Sequence, residues 1–147
     1  MIFYTEGYKY QLKNSHVFDI GEINDALYPP DAVDRLDERH WEISPFLKLY
    51  PSGKVVQLFG YAWDGASGPT LDDKTNQVPA LEHDGLYQIL RKGVLPLEKY
   101  RKLADERLDA GLKERGMNFF RRWLWFRAVR KFGKSSATQV KKVYKAK

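Results

Sequence analysis

The hydrophobic period of this chain changes partway along, and that change constrains its fold more than any other feature. Up to about Trp63 the apolar residues recur at every second position, the spacing of a half-buried strand. From Pro79 onward they recur at intervals of three and four, the spacing of one helical face. A chain that is β-like in its first half and helical in its second folds as α+β. The expected architecture is a small N-terminal antiparallel sheet of three to four strands packed against three C-terminal helices.

In the first half, Ile2, Tyr4, Glu6, Tyr8, Tyr10 and Leu12 alternate with Phe3, Thr5, Gly7, Lys9 and Gln11, and are expected to form one strand. Residues 19–37 are acidic, carry the Pro29-Pro30 pair and hold few apolar side chains. They are expected to form a loop outside the core, with a short helical turn at Asp31 to Leu36. Two further β-like runs, Trp41 to Tyr50 and Lys54 to Trp63, are joined by Pro51-Ser52-Gly53, which suits a tight hairpin turn. The glycine-rich polar stretch from Asp64 to Asn76 continues neither period and is expected to form the central loop.

In the second half, Ala80, His83, Tyr87 and Leu90 share one face of a helix that opens near Pro79 and ends around Gly93. A second helix is expected from Leu97 to Arg115, with Arg101, Asp105, Leu108 and Leu112 on its stripe and Gly116 ending it. A third, Asn118 to Phe132, interleaves Phe and Trp with four arginines. A core helix with a solvated basic face is the blander of its two readings, and a surface-binding helix the sharper. With 147 residues, 43% of them hydrophobic, the chain can bury one core. Residues 1–133 are therefore expected to be a single domain and 134–147 a mobile basic tail.

Charge is unevenly spread. Residues 113–147 hold 12 Lys/Arg and one acidic residue (+11), and 1–112 hold 13 against 18 (−5), which together give the net +6. A basic C-terminal surface on a mildly acidic body points to phosphates, on lipid headgroups or on nucleic acid, with nucleic acid the less favoured. There is no cysteine, so disulfides and thiolate zinc sites are excluded. No segment approaches the roughly 18 apolar residues that a bilayer span requires. The start, MIFYTEGYKY, has no secretory pattern, so the expectation is a protein not exported by its own signal.

The residues suited to chemistry gather around ALEHDGLY. Neighbours on a helix point about 100° apart, so His83 and Asp84 can serve two adjacent functions at one cleft. Tyr87 lies one turn beyond His83, and Asp105 on the second helix is the natural acceptor for both. An aspartate that fixes one imidazole nitrogen leaves the other as a general base. Arg101, one turn before Asp105, is an alternative partner for it. The loop from Tyr61 to Gly68 offers a carboxylate, Asp64, and exposed carbonyls such as that of Gly65, which with Asp84 suit calcium. Zinc is disfavoured, because His16, His40 and His83 lack ligand spacing. Ser67 lacks the surroundings of a hydrolase nucleophile. A purely structural role for the His83 cluster is the alternative to the catalytic one.

The segments GYAWDGASGPT, PALEHDGLYQILR, YRKLADERLDAGL and RAVRKFG, in that order, resemble a family of small proteins encoded by tailed bacteriophages and prophages and catalogued as a domain of unknown function. The resemblance covers roughly residues 55–133 and implies a phage origin, with the host cytoplasm or the virion as location. A second resemblance, of a glycine-rich loop, a His-Asp-x-x-Tyr helix and a later lone aspartate, is to the secreted phospholipases A2. It implies His83 as base, Asp105 and Tyr87 as its supports, and Asp84 as a calcium carboxylate. The disulfides of those enzymes are missing here. Two functions follow as expectations: a calcium-dependent hydrolase of lipid esters meeting an anionic lipid surface, or a non-catalytic virion or assembly component that docks on another phage protein.

Overall fold

The structure is a computed structural model that describes residues 4–5, 10–27, 40–63 and 76–138. Its α+β architecture is the expected one. The strands are shorter and more numerous than the sequence runs suggest, because three of those runs fold back or break. The run 2–12 is not one strand. It gives β1 (Tyr4–Thr5) and β2 (Tyr10–Leu12), paired antiparallel with Tyr4 opposite Leu12. The run from Trp41 divides into β4 (Trp41–Ser44) and β5 (Leu47–Leu49), and the run from Lys54 into β6 (Lys54–Gln57) and β7 (Ala62–Trp63). With β3 (His16–Asp19) they make two antiparallel sheets, ordered β1-β2-β7 and β3-β6-β5-β4.

The two sheets share one pair of chain passages. Tyr10 faces Trp63 in the first sheet and His16 faces Gln57 in the second, at equal spacing along both strands. Between them the Leu12 and Gly60–Tyr61 backbones continue the pairing, Leu12 N–H donating to the Tyr61 carbonyl at 2.8 Å and Gly60 N–H to that of Leu12 at 2.9 Å. The Pro51-Ser52-Gly53 hairpin forms as expected, with Gly53 at φ +94° and its N–H on the Tyr50 carbonyl. Alternation then sets the inner face: Trp41, Ile43, Leu47, Leu49 and Val55 are all buried.

The helices are α1 (Gln77–Arg91), α2 (Leu97–Glu114), α3 (Phe119–Phe132) and the single turn α4 (Lys134–Ala137). Leu81, Ile89 and Leu90 of α1 share the main core with the inner face of the four-stranded sheet, and α2 adds Tyr100 and Ala104. Leu108, Leu112, Met117 and Trp125 form a separate small cluster between α2 and α3. The stripe expected on α2 is buried throughout, Arg101 and Asp105 included.

Gly85 lies in the middle of α1, where glycine costs about 1 kcal/mol relative to alanine. A Cβ there would stand 2.6 Å from Gln57 Nε2. The glycine thus lets the fully buried Gln57 cross from β6 and donate to the Leu81 carbonyl at 2.7 Å, fixing helix to sheet.

Two further differences concern loops and the tail. Ile23 lies in the stretch expected outside the core, yet its side chain is buried in the main cluster. Residues 134–137, assigned to a mobile tail, form α4. Ala137 is fully buried there, and the Ser136 carbonyl accepts from Arg91 at 2.7 Å. The turn expected at 31–36 lies outside the described residues.

Candidate functional site: three polar ties from one helix

Three consecutive polar residues of α1 reach three different neighbours, as the 100° step between them dictates. Glu82 accepts from His16 Nε2 of β3 at 2.8 Å and from Arg107 of α2 at 3.1 Å. His83 turns to Asp105 of α2, its Nε2 2.7 Å from Oδ1. Asp84 turns to the other side, where the Tyr61 hydroxyl and Gln88 Nε2 (3.1 Å) donate to its Oδ2. His83 and Asp84 therefore belong to separate clusters.

Asp105 is the centre of the first cluster and has no exposed side-chain surface. It receives His83, the Tyr87 hydroxyl on the same Oδ1 at 2.6 Å, and Arg130 Nη1 of α3 on Oδ2 at 2.8 Å. Burial alone pushes a carboxyl upward. Here the bonds from His83, Tyr87 and Arg130 outweigh it and hold Asp105 below the ordinary carboxylate range. An ionised carboxylate accepts only, so Nε2 carries the hydrogen in neutral His83 and Nδ1 keeps its lone pair. Among the described residues Nδ1 meets no hydrogen-bond partner, and the His83 side chain is 14% exposed. Burial, then the bond to Asp105, push the Tyr87 hydroxyl well above its ordinary range, so it stays a neutral donor. The Tyr87 and His83 rings lie 4.1 Å apart, fixing the imidazole from the side.

Asp84 differs in kind. Burial pushes its carboxyl upward, and the bonds from Tyr61 and Gln88, with the charge of Arg91, offset only part of that. Burial also keeps the Tyr61 hydroxyl far above its usual range.

The structure brings together His83, Tyr87 and Asp105, as expected from the sequence. It places Asp84 away from them, and Asp64 and Gly65 lie outside the described residues. Arg101 is not the partner of Asp105. Its Nη2 donates to the carbonyls of Val129 (3.1 Å) and Arg130 (2.6 Å), the last turn of α3, where a cation suits the helix dipole. Arg130 takes the role suggested for Arg101. Nothing in its local sequence marks it, because it sits in a helix where arginines also cover the outside. In the sequence Tyr61 stands only as the start of a carbonyl-bearing loop, and the length of its side chain is the one hint of its reach.

Among the described residues no three His, Asp or Glu side chains gather to hold a metal ion. Asp84 brings one carboxylate, already bonded by two neutral donors, so the described residues do not compose a calcium site by themselves.

No family model matches the chain, and neither a curated protein nor a solved structure does. No helix among the described residues is long and apolar enough to cross a membrane.

Proposed function

We propose that the protein is a hydrolase in which His83 is the general base, acting on esters of lipids, and that it is of phage origin. The observation that carries this is His83 Nε2 on the buried Asp105, with Nδ1 meeting no hydrogen-bond partner among the described residues and the side chain 14% exposed. Nδ1 takes a proton from water as the water oxygen bonds to the ester carbonyl carbon. The tetrahedral intermediate then collapses, the C–O bond to the alcohol breaks, and the leaving oxygen takes the proton back from His83. Asp105 and Tyr87 orient the imidazole, and Arg130 gives Asp105 a cationic partner on its other oxygen.

The test is fatty-acid release from phospholipid vesicles, with and without calcium. His83→Ala should lose about 10²- to 10⁴-fold, the range for a general base. Release no greater than that of His83→Ala in either arm rejects the proposal.

One observation favours the alternative, a non-catalytic virion or assembly component. Asp105 of α2 gathers donors from α1 and α3, which is also how a polar residue would staple three helices. On that reading His83→Ala lowers stability and changes no activity.

A further inference from the structure

We propose that α3 is a docking helix for an anionic lipid bilayer. This deepens the hydrolase proposal by naming the surface where lipid esters would be met, while the binding itself requires no catalysis. The helix buries only Trp125. Phe119 is 73% exposed, Phe120 64%, Phe132 69% and Trp123 43%, an uncommon cost for one short helix to leave in water.

The same helix carries Arg121, Arg122, Arg127, Arg130 and Lys131 and no acidic residue. Asp109 pairs with Arg122 and Asp105 with Arg130. Arg127 and Lys131 are instead exposed and lie over aromatic rings, Arg127 at 5.0 Å from the Trp123 centroid and Lys131 at 5.3 Å from that of Phe132.

Aromatic rings flanked by cations match the acyl–headgroup boundary of an anionic leaflet, rings entering the apolar side and guanidinium and ammonium groups meeting phosphates. A second copy of this chain would set like charges against one another. A nucleic acid would also attract the cations. Yet α3 has no Asn, Gln, Ser or Thr to meet bases or sugars, and Phe119, Phe120 and Phe132 are all largely exposed.

The experiment is vesicle co-sedimentation of the full chain with phosphatidylcholine alone and with phosphatidylcholine containing phosphatidylglycerol, read beside tryptophan emission. Trp41, Trp63 and Trp125 are buried, so a blue shift on binding reports Trp123. The expected result is binding to the anionic vesicles with a blue shift, weakened by salt. Arg127→Gln/Lys131→Gln should weaken it roughly 25-fold, from about fivefold per cation near such a surface. Phe119→Ser/Phe120→Ser should weaken it about tenfold or more. All four positions are exposed, so the fold is retained.

Equal binding to neutral vesicles, an unmoved Trp123 emission, or tighter binding to a single-stranded oligonucleotide would overturn the proposal. Hydrolysis of a soluble monomeric ester separates the two ideas. The Arg127→Gln/Lys131→Gln variant should keep it in full if docking and catalysis are distinct, whereas its absence in the unsubstituted protein counts against the hydrolase and leaves the docking result standing.

Discussion

Asp84 and Asp105 each accept a bond from a tyrosine hydroxyl, and each meets a side chain of α1 or is one. Their charge states nevertheless diverge. Asp105 has no exposed side-chain surface, and burial disfavours its charge, yet its carboxyl is held low because the bonds from the His83 imidazole and the tyrosine, joined by the cationic Arg130, outweigh that burial. Asp84 has a hydroxyl and an amide for direct partners, both neutral, and burial prevails. Around Asp105 the hydrogen-bonding partners outweigh burial, and around Asp84 they do not. That contrast makes the Asp105 side fit to hold a histidine as a base, and leaves Asp84 as a joint between helix and sheet.

The largest test of the contrast is Asp105→Ala, which strands Arg130, His83 and Tyr87 together. It should cost about 3–5 kcal/mol in urea denaturation, the range for breaking a buried ion pair. Tyr61→Phe should cost about 1.5–3 kcal/mol, because it removes the hydroxyl bonded to a carboxylate. Tyr87→Phe should cost about 1 kcal/mol, since Asp105 keeps two other donors. Asp84→Asn should fall within about 1 kcal/mol of the unsubstituted protein, because an amide oxygen can accept the same two bonds and a buried charge disappears. An Asp84→Asn loss as large as that of Asp105→Ala would break the comparison.

Acid sharpens it further, because the two signs are opposite. Asp84 has a folded pKa above its ordinary 3.8, so its charge destabilises the fold at neutral pH, and that cost is relieved as the pH falls through the raised value. Asp105 has a folded pKa below 3.8, so its contribution is full above 3.8 and is lost as the pH falls further, through the lowered value. Thermal midpoints followed downward from pH 7 should carry both contributions. Asp84→Asn should remove the gain, and Asp105→Asn should reduce the loss below pH 4.

The helices were readable because each carries its own period. Ala80, His83, Tyr87 and Leu90 face inward as their spacing requires, and the buried stripe of α2 is the one the sequence shows. The strands were less readable. A period of two continues unchanged through a fold-back, so residues 2–12 could not reveal that β1 and β2 are two strands of a pair. On α3 the apolar arc looked wide enough for a core helix. Exposure of four of its aromatic side chains depends on which neighbours reach it, and the described helices cover little beyond Trp125.

The sequence by itself determined the α+β order, the hairpin at Pro51-Ser52-Gly53 and the meeting of His83, Tyr87 and Asp105. Each of these follows from local conformation or from residues one helical turn apart on facing stripes. Only the tertiary structure decided that Asp84 turns away to Tyr61, that Arg130 and not Arg101 pairs with Asp105, and that Gln57 needs the space left by Gly85. These depend on which side chains arrive from distant parts of the chain, and a helical or strand period specifies a face without specifying what will be packed against it.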